Sequence, residues 1–151
     1  LAEVQALVSA SGYGNPRRMT NGFDYNRLAM LAAVLEKRAG FFLNNCDIYI
    51  NVVGGLKLDE PASDLSVALA LISSLKDVPI RDDVLAFGEI GLGGEIRSIG
   101  SCEQRIKEAA RLGFNRCIVP YHNYKNLNSN IKSLVEIVPA RTIRAAFDSA
   151  I

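Results

Sequence analysis

Apolar and polar residues along this chain repeat with two different periods, and each change of period marks the start of a new element. Residues Leu1 to Ser9 set Val4, Leu7 and Val8 among Glu3 and Gln5, the pattern of a half-buried strand. Ser11-Gly12-Tyr13-Gly14-Asn15-Pro16-Arg17-Arg18 follows, a loop by its glycines and proline. Asp24 can then cap a helix running to about Arg38, with Leu28, Leu31, Ala32 and Leu35 on one face and Gly40 as the stop. Asp47 to Val53 alternates and is rich in β-branched residues, so it predicts a strand, ended by Gly54-Gly55.

Pro61 to Leu75 predicts a second helix. Leu65, Ala68, Leu69, Ile72 and Leu75 fall at helical spacing, and Asp59, Glu60 and Asp64 crowd its start, where negative charge suits the helix dipole. Val84 to Ile90 and Glu95 to Ile99 read as two strands joined by the hairpin turn Gly91-Leu92-Gly93-Gly94. Ser101 with Gln104 has the spacing of a capping box, opening a third helix that Gly113 ends. Arg116 to Val119 reads as a short strand stopped by Pro120, and Tyr121 to Lys132 as a polar, asparagine-rich loop or short helical turn. Glu136 to Val138 predicts a last strand and Arg141 to Ile151 a final helix. No repeat, low-complexity stretch or linker divides the sequence. The expectation is one α/β (α+β) domain, residues 1–151, with a mixed sheet and packed helices.

Composition narrows the function classes. A length of 151 residues suits a single domain, and 49% hydrophobic with 22% charged residues is ordinary globular usage. No apolar run approaches bilayer length and no basic-then-apolar leader opens the chain, so no membrane partner is expected. The chain starts without methionine in Leu1-Ala2-Glu3-Val4, which reads as the interior of a strand and predicts a fragment of a longer protein. Seventeen Lys+Arg stand against sixteen Asp+Glu, a net charge of +1. Any nucleic-acid site must therefore be a local patch. Cys46, Cys102 and Cys117 are scattered among apolar residues and read as buried free thiols in a reducing, cytoplasmic setting. Cys117 with the lone His122 does not make a zinc set, so no metal site is expected here. Gly54-Gly55-Leu56-Lys57 lacks the spacing and following Ser/Thr of a phosphate loop, which places any ATP site outside these residues.

Two stretches carry a resemblance. DIYINVVGGLKLDEPASDLSVALALISSL and FGEIGLGGEIRSIGSCEQRIKEAARLGFNRCIVP together resemble the proteolytic domain of the Lon family. That resemblance implies a Lon proteolytic-domain fold, a two-layer β-α-β arrangement of the ribosomal-protein type. It also implies a serine just after the proline and a lysine at the start of the later helix. Here Ala62 follows Pro61, and Glu103 stands at the lysine position. A methyl group cannot attack a carbonyl, and a carboxylate is not the neutral amine that a Ser-Lys mechanism needs. Ser63 is one residue late, a swing of roughly 100° on a helix. Lys107, one turn beyond Glu103, is expected as an exposed partner of that glutamate.

The departures narrow the resemblance. LAEVQALVSASGYGNPRR, NRLAMLAAVLEKRAG and NVVGGLKLDEPASDLSVALALISSLKDVPI resemble, in order, the C-terminal domain of the RadA (Sms) family of bacterial DNA repair proteins. The resemblance weakens after about Tyr121. It implies a parent with a zinc finger and a RecA-like ATPase core, hence Zn, ATP and Mg outside this stretch. It further implies a homo-oligomeric ring, expected to be a hexamer, acting on DNA in recombination and branch migration, with a recombinase as a further partner.

For DNA, the candidates are Arg17 and Arg18 on the first loop, with Lys57 after the Gly54-Gly55 turn and Tyr13 as a stacking residue. The residues alone leave two readings open: phosphate contact, or solvated charges that pair with the acidic cluster near Asp59. The resemblance implies the first. His122 is expected as a surface histidine, Asn126, Asn128 and Asn130 as loop chemistry, and Glu89 with Arg97 as a pair across the hairpin. Three functions compete: a non-catalytic assembly and DNA-contact module, a residual ATP-dependent peptidase using Ser63, and a purely structural oligomerisation collar.

Overall fold

The alternating start of the chain becomes strand β1 (Val4–Ala10), and the β-branched stretch becomes β3 (Cys46–Val52), which pairs with it antiparallel along its whole length. The computed structural model describes residues 1–12 and 14–151. Arg18–Asn21 forms β2, parallel to β3 on its other edge, with Arg18 opposite Ile48. Helix α1 (Tyr25–Ala39) links β2 to β3 as a parallel crossover. Asp24 caps it by accepting the Arg27 N–H at 2.9 Å, and Gly40 closes it in the left-handed region at φ 76°. The sequence reading missed β2. Four residues, Arg-Met-Thr-Asn, alternate too briefly to stand out from the loop before them, and their pairing with β3 is what makes them a strand.

After β3 the chain passes through a 3-10 turn at Pro61–Ser63 into α2 (Asp64–Lys76). Leu65, Val67, Ala68, Leu69, Leu71 and Ile72 are all buried, so α2 is wrapped nearly all round rather than on one stripe. Each fully buried Leu or Ile side chain contributes about 1.5–3 kcal/mol. The expected strand Val84 to Ile90 is two: β4 (Val84–Ala86) and β5 (Glu89–Ile90). Its break has a physical cause at Gly88, whose N–H donates to Ala62 and whose carbonyl accepts from Leu65, at 2.9 and 3.0 Å. These residues bond to the head of α2 and so leave the ladder.

β5 pairs antiparallel with β6 (Ile96–Arg97) around the expected glycine hairpin. Helix α3 (Cys102–Arg111) follows, but the capping box does not form. Ser101 sits at φ 59°, left-handed, and its side chain makes no cap hydrogen bond. An N-cap side chain reaches the first turn from extended backbone, which Ser101 lacks. β7 (Arg116–Pro120) pairs parallel with β4 on one side and with β8 (Glu136–Ala140) on the other. Between them lie two single-turn helices, α4 (Tyr121–Tyr124) and α5 (Ser129–Lys132). Thr142 caps the last helix, α6 (Ile143–Ala150).

The fold is the expected α/β class, with its strands divided into a mixed three-stranded sheet, a parallel three-stranded sheet and a hairpin. One core joins α1, α2, α6 and β3, and a smaller one gathers Phe87, Cys102, Ile106, Cys117 and Ile131 beneath α3. Among the described residues no helix is long and apolar enough to cross a membrane.

Candidate functional site

The turn Pro61–Ser63 carries Ala62, where the Lon resemblance implies a serine, and Gly88 pins it through the two backbone bonds described above. A cleft of about 480 Å³ opens over this turn. Ala62, Ser63 and Ser66 line one side, Leu85 and Ala86 of β4 with the following Phe87 another, and Ser101 with Gln104 and Arg105 of α3 a third. The Ala62 methyl itself is buried. Ser63 lines the same cleft, but its hydroxyl donates to the Glu60 carbonyl at 2.7 Å, a bond closed within its own turn.

Among the described residues Arg105 is the only cationic side chain lining the cleft. Its guanidinium binds the Glu60 carboxylate at 2.8 Å and donates to the Gly100 carbonyl at 3.2 Å. The hydrogen bond from Arg105 holds the Glu60 carboxyl below the usual range, against an opposing push from desolvation. Glu103 lies half-buried in the first turn of α3 and does not line the cleft. Lys107 is exposed on the same helix, and among the described residues it makes no ion pair with Glu103, contrary to the sequence expectation. Asp64, counted in the acidic cluster, is wholly buried and bound by Arg27.

The DNA candidates do not gather into one patch. Arg17 is exposed, with its backbone N–H on Asp47 Oδ1 at 2.7 Å. Arg18 opens β2, half-buried, and donates to the Leu43 carbonyl at 3.0 Å. Lys57 is exposed beyond the far end of β2, where Leu58 bonds to Gly22 at 2.7 Å. Four strand residues separate that level from Arg18, roughly 13 Å. Neither arginine makes an ion pair with the acidic cluster near Asp59 among the described residues, and Glu60 is held by Arg105 instead. Tyr13 lies outside the described residues.

Elsewhere, Glu89 stands opposite Arg97 in the hairpin, yet the Arg97 guanidinium lies nearer Glu95, at 3.8 Å. His122 is exposed at the surface of α4. All three cysteines are free; burial pushes the Cys102 and Cys117 thiols up to about 11. Among the described residues no group of three or more His, Cys, Asp or Glu side chains could hold a metal ion.

Sequence reasoning missed two features. One is the Arg27–Asp64 pair, for which the signal was a lone aspartate inside the apolar face of α2. The other is a set of cations lying on aromatic rings: Lys132 on Tyr124, Arg141 on Tyr121, and Lys76 with Arg144 on Phe41. Its signal was the scarcity of carboxylates from Arg116 to Arg144, where Glu136 stands alone.

The family described as Lon protease (S16) C-terminal proteolytic domain matches residues 26–151. The chain is 47% identical to a DNA repair protein RadA from Listeria monocytogenes over 151 residues, covering all of this chain and 33% of that protein. It is 46% identical over 149 residues to the protein of that name from Halalkalibacterium halodurans, covering 98% of this chain and 32% of the relative. The corresponding protein of Synechocystis is 44% identical over 151 residues, all of this chain and 29% of the relative. The chain thus spans about a third of the length of the curated relatives it matches.

Proposed function

The chain belongs to the Lon protease (S16) C-terminal proteolytic domain family, and we propose that it is a non-catalytic member that serves a RadA-type DNA repair protein through ring assembly and DNA contact. One observation carries the non-catalytic half: the cleft holds the Ala62 methyl where the Lon resemblance implies a serine, with Arg105 the one lining cationic side chain among the described residues. A guanidinium does not deprotonate in a protein, so Arg105 cannot act as the neutral base for Ser63. Ser63 is further withdrawn by its bond to the Glu60 carbonyl. A peptidase using Ser63 is therefore the weaker reading.

The likeness to DNA repair proteins named RadA supports the other half. On this reading ATP, Mg and Zn belong to regions of the relatives that this chain does not span. The ring is a hexamer that supports branch migration, with DNA and a recombinase as partners. Buried free thiols support a reducing, cytoplasmic compartment. Assembly has support on the outer face of the mixed sheet. There Leu7, Tyr49 and Met19 lie in register across the three strands, Leu7 and Met19 more than half exposed. Beside that row Asn21, Asn51 and Gln5 form an amide ladder of 2.9 and 3.4 Å. An apolar row flanked by uncharged amides suits a protein neighbour. The same face favours the second reading, a structural collar without DNA contact.

The test uses the full-length protein, with light scattering for its oligomeric state and an unstructured casein-like substrate with ATP for its activity. The expected result is an assembled ring that cleaves no faster than a protein-free blank. Cleavage abolished by Ser63→Ala, or a protein monomeric at all concentrations, would overturn the corresponding half of the reading.

A further inference from the structure

Four cations rest on aromatic rings rather than on carboxylates. Lys132 Nζ lies 4.2 Å from the centre of the Tyr124 ring, and Arg141 Cζ lies 3.8 Å from that of Tyr121. Arg144 Cζ and Lys76 Nζ lie 4.5 and 5.4 Å from the centre of the Phe41 ring. The fold sets these contacts side by side. Tyr121 and Tyr124 are one turn apart on α4. Pro120 is in register with Ala140, so the next residues, Tyr121 and Arg141, meet where β7 and β8 end. Arg141 and Arg144 flank the start of α6, and the packing of α6 on α2 brings Arg144 and Lys76 to one ring.

Among the described residues none of the four makes an ion pair. Glu136, the one carboxylate from Arg116 to Arg144, is held by Arg116 at 3.0 Å. Asp77 follows Lys76 and Asp148 stands one helical turn after Arg144, and both are exposed. A cation seated on a ring face is held in place while its N–H groups still point to solvent. The result is a row of positioned positive charges that, among the described residues, no carboxylate pairs with, in a domain whose net charge is only +1.

We propose that this row is the domain's contact with the phosphate backbone of DNA, an inference that rests on the DNA repair reading above. Each ring already carries one of the chain's own cations, so the cations and not the rings are the groups offered to a ligand. The contact is therefore with phosphates and independent of base sequence. It uses side chains other than Arg17 and Arg18, and Arg18 already donates to the Leu43 carbonyl, two residues from Phe41.

The test measures anisotropy of labelled duplex and single-stranded DNA of random sequence with the full-length protein across a salt series. Three variants accompany the parent: Lys132→Gln/Arg141→Gln/Arg144→Gln, the charge-retaining Lys132→Arg/Arg141→Lys/Arg144→Lys, and Arg17→Gln/Arg18→Gln. The triple neutral variant is expected to lose about ten-fold or more in affinity at low salt, its log–log salt slope on duplex flattening by roughly 0.9 per cation removed. The charge-retaining variant keeps the slope. If the neutral variant binds like the parent, this surface is wrong while the DNA reading stands. Loss of the slope in the charge-retaining variant as well would mean that packing, not charge, was removed, and overturns the proposal. A parent that binds no DNA at low salt overturns both the surface and the reading beneath it.

Discussion

Arg27 of α1 grips Asp64 at the head of α2 through two hydrogen bonds of 2.5 Å, with the carboxylate wholly buried and the guanidinium partly exposed. The same carboxylate accepts the Ile90 N–H at 3.0 Å, so one buried charge ties α1, α2 and β5 together. The hydrogen bond to Asp64 raises the Arg27 guanidinium above its already high ordinary value, so Arg27 stays charged.

Removing one partner of such a pair leaves the other charge buried and alone. Arg27→Ala is expected to cost about 3–5 kcal/mol, whereas Arg27→Met with Asp64→Leu should recover most of that by removing both charges. Urea unfolding of the two variants beside the parent checks it. A single variant within about 1 kcal/mol of the parent, the range of an exposed pair, would show that the bond adds little.

Asp83 gives a pH signature. Arg81 donates to it through Nε and a terminal nitrogen at 3.0 and 2.8 Å, and Asn115 adds a third bond at 3.1 Å. These bonds, Arg81's first, bring its carboxyl down from 3.8 to about 2. A depressed carboxyl favours the folded state above its unfolded value, and that contribution disappears as pH falls through about 2. Carbon-detected NMR titration should therefore place the Asp83 midpoint near 2, and Arg81→Ala should move it back toward 3.8. A parent midpoint near 4 would contradict the geometry.

The thiols separate by burial. Cys102 and Cys117 are buried in the smaller core and pushed up to about 11, while Cys46 is half-buried. Since the thiolate is the reactive form, a mild alkylating agent at pH 8 should label Cys46 first. Mass spectrometry of the folded protein should find Cys102 and Cys117 modified only once unfolding begins. Their rapid labelling under native conditions would mean that the smaller core opens readily.

Much of this fold was legible because local signals and packing agree. Asp24 and Gly40 bracket α1 as read, since their chemistry acts within a few residues. The missed strand boundaries share one cause: contacts distant in sequence decided them. β2 exists through its pairing with β3, and β4 ends because Gly88 bonds to the head of α2. Ser101 fails as a cap because the chain reaches it in a left-handed turn. In the cleft, Ala62 could be read directly, whereas the capture of Glu60 by Arg105 spans 45 residues and has no sequence pattern. The cations on Phe41 come from α2 and α6, so no window of sequence contains them together.

A serine at position 62 should not confer peptidase chemistry. Ala62→Ser would place a hydroxyl in the cleft, but Arg105 remains the only cationic side chain lining it among the described residues, and it is bound to Glu60. Without a neutral base a serine stays a weak nucleophile. Casein hydrolysis by the Ala62→Ser variant should match the parent's background. Turnover by that single variant would show that a base is present which the geometry does not reveal.

Gly88 offers the sharpest test of how the cleft is held. A β-carbon there would lie 2.9 Å from Ile96 Cγ2 and 3.4 Å from the Pro120 ring. Ile96 is itself buried in the hairpin, so neither neighbour can easily give way. Overpacking of this kind costs roughly 1–3 kcal/mol. The strain also falls on the two bonds that fix the Ala62 turn, Gly88 N–H to the Ala62 carbonyl and Leu65 N–H to the Gly88 carbonyl. Gly88→Ala should therefore lower the unfolding midpoint and, in the folded state, speed hydrogen exchange at Gly88's position and Leu65 more than in the centre of α2. Exchange that rises uniformly along α2 would mean global destabilisation alone. Unchanged stability would show that the hairpin can shift by the few tenths of an ångström the methyl needs.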